Sequence, residues 1–201
     1  MAKIAVDVVL SPSDTMTDIV IEANRKLLQK VGGKIALNKE NCLPHISLAM
    51  GALKKADVPV VSEILGKIAQ QFSIMTLHAT RVSCGTTPAG KKVSGLEIEN
   101  TKDLQLLHET IMRGFAPYIT YDASPEMIHG YPDVDEESLH WINNYQEKAS
   151  YKNFSPHITL GFGEVEATKL PIRFTASQLV ICHLGNYCTC RKILALANLE
   201  P

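Results

Sequence analysis

Pro44-His45-Ile46-Ser47-Leu48 and Pro156-His157-Ile158-Thr159-Leu160 differ at one place, serine against threonine. Average residue usage gives an accidental second copy of such a pattern in a chain of this size a chance on the order of one in several thousand. Each copy alternates polar and aliphatic residues, the pattern of a strand, because successive side chains leave a strand on opposite faces. His45 then shares a face with Ser47, with Ile46 and Leu48 turned to a core. In the second copy His157 and Thr159 share the outer face, with Ile158 and Leu160 beneath. Two residues of strand rise separate each imidazole from its hydroxyl by about 6.5 to 7 Å along the backbone, so each pair can grip one phosphate-sized group. Pro44 and Pro156 mark the strand starts, where a missing N–H is tolerated.

The rest of the chain sets the frame for this repeat. With 201 residues it is long enough to bury a full core, and it reads as a single bilobed domain spanning 1–201. A hydrophobic content of 45%, a charged content of 20% and a net charge of -1 exclude a strongly basic, general nucleic-acid binder. No extended nucleic-acid surface is expected, and an anionic ligand must be met by local groups. The opening run Ile4 to Leu10 is broken by Asp7 and has no small-residue cleavage site after it, so it reads as a strand, not a signal peptide. No run reaches the roughly 18 apolar residues of a membrane span. Five cysteines, an odd number without an export signal, point to reduced thiols and a cytoplasmic location. The expected state is a monomer.

Taken in order, the first strand is followed by possible capping residues at 11–14. Met16, Ile19, Val20, Ala23, Leu27 and Val31 then recur at helical spacing until Gly32-Gly33. After the first motif strand, Asp57 can cap a second helix carrying Val60, Val61, Ile64, Leu65 and Ile68. Phe72 to Val82 and Val93 to Ile98 read as an antiparallel pair across a turn at Gly85 to Gly90 that includes Pro88. Asn100 or Thr101 caps a third helix with Leu104, Leu107, His108, Ile111 and Phe115. Residues 118–150 are irregular until an acidic helix start at Asp133 to Glu137, where Leu139, Trp141, Ile142 and Tyr145 form an apolar side. After the second motif strand, Pro171 to Cys182 and Tyr187 to Ala197 form two more strands across a Gly185-Asn186 hairpin signal.

Two His-x-Ser/Thr motifs on hydrophobic strands, 112 positions apart, resemble the two-histidine (2H) phosphoesterase superfamily, including the LigT-like, 2′-5′ RNA ligase-like proteins. The order of elements fits that family across nearly the whole chain, and residues 118–150 are long for a compact member. The resemblance implies an α+β, pseudo-two-fold fold: two antiparallel sheets facing a central cleft, helices outside. It assigns the four motif positions to His45, Ser47, His157 and Thr159, serine being an accepted variant.

The chemistry supports the same assignment independently. Opening a 2′,3′-cyclic phosphate needs a base to deprotonate water and an acid to protonate the departing ribose oxygen, in line across phosphorus. Two imidazoles with an ordinary pKa of about 6.5 can serve as that pair near neutral pH. Ser47 and Thr159 would donate to the non-bridging oxygens; the sequence does not say which histidine is the base. The expected enzyme is a metal-independent phosphodiesterase acting on a nucleotide or RNA end. Reversible RNA 2′-5′ ligation and a non-catalytic module binding a phosphorylated ligand are the alternatives.

No cofactor is expected. Cys182-His183 with Cys188 and Cys190 offers zinc-type ligands, but Cys188 and Cys190 read as one strand face with only Thr189 between, unlike a Cys-x₂₋₄-Cys knuckle. Gly32-Gly33-Lys34 lacks phosphate-loop spacing and reads as a helix end. His78, His108, His129, His140 and His183 have no twin and are expected to be structural or exposed. Among the aromatics, Trp141 and Tyr145 are expected to pack, whereas Tyr151 and Phe154 border the motif strand and are candidates for stacking on a nucleobase.

Overall fold

The structure is a computed structural model, and it describes residues 2–87, 90–165 and 169–201. Pro88 of the expected turn lies outside the described residues. Among the described residues, eight strands and four helices follow one another along the chain: β1 (Lys3–Pro12), α1 (Asp14–Val31), β2 (Ile46–Lys54), α2 (Val58–Ala69), β3 (Met75–Thr86), β4 (Lys92–Ile98), α3 (Lys102–Phe115), β5 (Ile119–Thr120), α4 (Glu136–Lys148), β6 (His157–Phe162), β7 (Ile172–Gly185) and β8 (Thr189–Asn198). No helix is long and apolar enough to cross a membrane among the described residues.

The pairs between these strands are antiparallel, and the expected two sheets are joined into one. The pairing order is β5-β2-β1-β7-β3-β4-β6, with β8 also paired to β7. The 14-residue β7 makes the junction: its first residues, 172–176, pair with β3, and 176–183 pair with β1. Lobe one is therefore β5-β2-β1-β7-β8 and lobe two is β7-β3-β4-β6. Five strand spacings separate β2 from β6 along this path, about 24 Å in a flat sheet, yet the two strands touch. The sheet folds over at β7 and brings the motif strands face to face.

The helices cross between lobes. α1 follows β1 of lobe one but packs on β6, and α3 follows β4 of lobe two but packs on β2, joined there by α4. Met16, Val20 and Leu27 of α1 are buried as the helical spacing predicts, but Val31 is exposed and Asn24 joins the buried stripe. Asn24 is fully satisfied where it is buried: its amide donates to the carbonyls of Leu160 (2.7 Å) and Ile35 (2.9 Å), and its oxygen accepts from Leu37 N–H (2.9 Å). Close approach of α1 to β6 requires glycine at 161 and 163. Both have positive φ, and a Cβ there would lie 2.9 Å from the Asn24 amide and 2.8 Å from Val31.

Two expected caps do not form. Ser13 and Asp57 sit at the N-termini of α1 and α2 without a side-chain cap bond, whereas Thr101 accepts from Leu104 N–H and Asp135 from Glu137 N–H. α1 does end at Gly32, whose φ of 68° takes the chain out of helix. Trp141, expected to pack, is 42% exposed; Ile142 and Tyr145 carry the buried side of α4 instead.

Asn24→Ala strands two buried backbone carbonyls and the part-buried Leu37 N–H, at roughly 1 kcal/mol each. A loss of about 3 kcal/mol in unfolding free energy is expected from urea denaturation. A change under about 1 kcal/mol would show that the crossing helix is held by apolar contacts alone.

Candidate active site

The two motif strands touch and the charge of His157 acts on His45, with the sides of each strand as the alternation predicts: Ile46, Leu48, Ile158 and Leu160 are buried, and His45, Ser47, His157 and Thr159 retain access to solvent. The strands begin at Ile46 and His157, so His45 stands just ahead of β2. Each imidazole is oriented in the same way. His45 Nδ1 donates to the Leu43 carbonyl (2.8 Å) and His157 Nδ1 donates to the Ser155 carbonyl (2.9 Å), in both cases two residues upstream. A carbonyl can only accept, so Nδ1 carries the proton in each ring and Nε2 is left for the cleft.

Each motif also carries a β-bulge at its leucine. Ala49 pairs with Val8 and Ser47 with Val9, which leaves Leu48 opposite nothing; Gly161 pairs with Ser94 and Thr159 with Gly95, which leaves Leu160 opposite nothing. A bulge residue loses its ladder partner, and its carbonyl must be satisfied elsewhere. A crossing helix supplies the donor both times. Asn24 of α1 donates to Leu160 O, and His108 of α3 donates from Nδ1 to Leu48 O at 2.8 Å. His108 Nε2 accepts from Tyr151 N–H (2.8 Å), so this buried imidazole is a neutral tautomer tying the first motif to the segment leading into the second. Burial holds its pKa below the ordinary histidine value, against the Leu48 hydrogen bond.

Tyr151 and Phe154 are placed by the same contact. Phe154 is only 8% exposed and stacks on His108 with ring centroids 3.9 Å apart and planes 1° apart, which leaves its face covered. Tyr151 meets His108 edge-on at 6.0 Å. Of the other histidines without a twin motif, His129 and His140 are exposed and His78 is half-buried. His183 donates from Nε2 to the Met127 carbonyl at 2.9 Å.

Sequence reasoning missed Asp7. It lies in β1 with no exposure, accepts from Ser47 Oγ at 2.6 Å through Oδ2, and comes within 3.7 Å of His45 Nε2 through the same oxygen. Its other oxygen, Oδ1, has no hydrogen-bond partner among the described residues. The distance to His45 is that of an ion pair, but both groups are driven toward neutrality. Burial raises the Asp7 pKa well above the carboxylate range, opposed by the Ser47 hydrogen bond. Burial also lowers the His45 pKa, helped by the charge of His157 and opposed by the Leu43 hydrogen bond. Removing two charges from water is more unfavourable than a 3.7 Å contact is favourable. The signal for Asp7 was present: a single carboxylate inside the otherwise apolar run Ile4 to Leu10.

Three cysteines neighbour Asp7: Cys182 is its partner across β1 and β7, and its charge acts on Cys188 and Cys190. Cys188 is in the turn before β8, with φ of 53°, so it does not share a strand face with Cys190 as expected. Cys190 and Cys182 pack with Val9, Val180 and Leu43. Burial pushes the Cys188 thiol up to about 12 and the Cys190 thiol well above its ordinary value, which keeps both protonated, whereas a metal takes thiolates. Among the described residues no three His, Cys, Asp or Glu side chains are grouped to hold a metal ion.

The fold is shared with known structures. The chain matches, at full length and low identity, the crystal structure of TT0787 of Thermus thermophilus (TM-score 0.61, 12% identity, 98% of each chain). It likewise matches E. coli LigT in apo form (TM-score 0.56, 15% identity, 100% of each chain) and in complex with 3′-AMP (TM-score 0.52, 14% identity, 100% of each chain). No functionally curated protein matches the sequence. A family model, the 2′-5′ RNA ligase superfamily, matches residues 38–181, a span that contains both motifs but not Asp7. Twin His-x-Ser/Thr strands folded face to face, with that match over most of the chain, make this protein a member of the 2′-5′ RNA ligase superfamily, a LigT-like two-histidine phosphoesterase.

Proposed function

We propose that this chain is a metal-independent phosphodiesterase that hydrolyses a 2′,3′-cyclic phosphate or a 2′-5′ phosphodiester in a nucleotide or RNA end. The observation that carries this reading is the pair of imidazoles on touching strands, each tied through Nδ1 to a backbone carbonyl so that Nε2 is the atom left for proton transfer. Such a pair supplies both proton transfers of the reaction. E. coli LigT, whose fold the chain shares, has been crystallised with phosphate, 3′-AMP and ATP, which supports a nucleotide as the substrate.

His45 is assigned as the base. It is the more buried of the two, its side chain 14% exposed, and burial together with the His157 charge keeps it neutral. His157 lies open to water, which can solvate the cationic form an acid needs. In hydrolysis His45 Nε2 takes a proton from water as the water oxygen bonds to phosphorus. The bond from phosphorus to the ribose oxygen breaks, and His157 Nε2–H delivers its proton to that oxygen. Thr159, on the same strand face, donates its hydroxyl proton to a non-bridging oxygen. Ser47 does the same if its partner changes role. A neutral Asp7 donates its own proton to Ser47 Oγ and frees the serine proton for the phosphate.

Purified protein in excess chelator should hydrolyse a nucleoside 2′,3′-cyclic phosphate to a single phosphomonoester, followed by chromatography. The same assay run with a 2′-5′ dinucleotide and with paired RNA ends separates hydrolysis from ligation. Binding of these compounds without turnover of any would replace the enzyme by a phosphate-binding module.

A further inference from the structure

A second concavity of about 320 Å³ lies beyond the cleft and is lined by Lys34, His129, Asp133, Asn186, Tyr187 and Arg191, among others. Three segments remote in sequence converge there: the end of α1, the link before α4 and the β7–β8 turn. Tyr187 forms the partition. Its ring meets Phe162 edge-to-face, with centroids 5.0 Å apart and planes at 86°. The bulge at Leu160 puts Phe162 opposite Val93 and Thr159 opposite Gly95, so Phe162 shares the cleft face of Thr159. A short chain of bonds links the concavity to His45: Arg191 follows Cys190, whose carbonyl accepts from Leu43 N–H, and the Leu43 carbonyl accepts from His45 Nδ1.

The turn carrying Tyr187 is held in an unfavourable conformation. Tyr187 and Cys188 have φ of 58° and 53°, the left-handed region that side chains avoid. Such strain persists only where surrounding contacts over-determine it, and it gathers at ligand sites. The contacts come from the start of α4: Ser138 Oγ accepts from Tyr187 N–H at 2.7 Å, and Asn186 Oδ1 accepts from Asp135 N–H (2.7 Å) and Ser138 Oγ (3.0 Å). The 118–150 stretch thus contains the element that aims Tyr187.

Among the described residues, two cations stand against one carboxylate in the lining of the concavity. Lys34 Nζ sits 5.8 Å from the Tyr187 ring centroid. Arg191 donates one N–H to the Asn41 carbonyl (3.0 Å), and its guanidinium has four further donors. Asp133 is the one carboxylate in the lining among the described residues. Lys91, also near the ring, is already paired with Asp135 (3.1 Å) and Glu137 (3.6 Å) and is not counted toward the site.

We infer that this concavity is a second phosphate subsite, in which Lys34 and Arg191 beside Tyr187 take a phosphate on the 5′ oxygen of the nucleotide whose 2′,3′ end occupies the cleft. The inference rests on the proposed nucleotide reading and narrows it. The substrate class becomes a 5′-phosphorylated nucleotide or an RNA end, in which an internucleotide linkage supplies the same phosphate. A bare nucleoside cyclic phosphate would leave the subsite empty.

Calorimetric binding to the wild-type protein tests it with ligands that are not turned over: 3′-AMP, adenosine 3′,5′-bisphosphate and the dinucleotide ApAp. The second phosphate should tighten binding at least about tenfold, the value of one good charge-assisted contact. Preference for the bisphosphate identifies a terminal phosphate, and preference for ApAp an internucleotide one. Lys34→Ala alone and Lys34→Ala/Arg191→Ala should remove the preference in steps while 3′-AMP affinity stays within about twofold. Equal affinity for all three ligands, or a preference that survives the double substitution, overturns the subsite and leaves the nucleotide reading standing. Binding of none of them overturns both.

Discussion

Turnover by His45→Ala and by His157→Ala will fall by about 10² to 10⁴ each, and the double substitution will be little worse than either single one. Each positioned proton transfer is worth about that factor, and two groups acting in one step do not contribute independently. Ser47→Ala and Thr159→Ala leave both imidazoles in place and each remove one donor, so losses of about 10 to 10³ are expected. The pH profile adds a sign. His45 must be neutral to act as base, and burial and the His157 charge depress its pKa from the ordinary 6.5. The acid limb of kcat/KM should therefore lie below pH 6.5, with activity lost as pH falls through the depressed value. In the residual activity of His157→Ala the neighbouring charge is gone, and that limb should move toward higher pH. Multiplicative losses in the double variant, or an acid limb that His157→Ala does not move, would refute the paired mechanism. The limiting pKa values belong to the pair and not to one ring.

Asp7→Asn will make the protein more stable than wild type at neutral pH and leave it unchanged in strong acid. The buried carboxyl keeps its proton in the folded state at pH values where the unfolded chain, with a pKa near 3.8, has released it. Unfolding then releases a proton, and stability falls as pH rises from 3.8 toward the raised folded value. The slope in that window is about 1.4 kcal/mol per pH unit. Asparagine has no proton to lose, so its curve is flat there. Urea midpoints for both proteins between about pH 3 and 8 should diverge upward from about pH 4, and parallel curves would mean that Asp7 is as easily ionised in the fold as in the open chain. Catalysis separates the roles of charge and donor. The asparagine amide still donates to Ser47 and should hold turnover within about tenfold of wild type, while Asp7→Ala, which leaves Ser47 without its partner, should lose about 10²-fold. Equal losses in the two variants would make Asp7 a packing residue.

The candidate site of this protein was legible in its sequence because it is carried by local patterns. Alternation alone puts His45 with Ser47 and His157 with Thr159 on one side of each strand, since side-chain direction in a strand depends only on parity. The same holds for the buried faces of α2 and α3, for the end of α1 at Gly32 and for the β7–β8 hairpin at Gly185-Asn186. What the fold adds depends on contacts between residues far apart in the chain. Asp7 is one carboxylate in an apolar run until β1 and β2 pair and set it against Ser47, forty residues on. Asn24 and His108 look like an ordinary polar residue and an untwinned histidine. They become the donors to the Leu160 and Leu48 carbonyls only because α1 and α3 cross to the opposite lobe. Phe154, beside the motif in sequence, is covered by His108, and Cys188 leaves its expected strand for a turn held by α4. The sequence by itself determined which two imidazoles and two hydroxyls stand on the outward faces of the motif strands, through local periodicity. Only the tertiary structure decided that the two motif strands touch, which histidine is the more buried and what stands behind them, because burial, bulge satisfaction and sheet closure through β7 are set by long-range packing that no local pattern encodes.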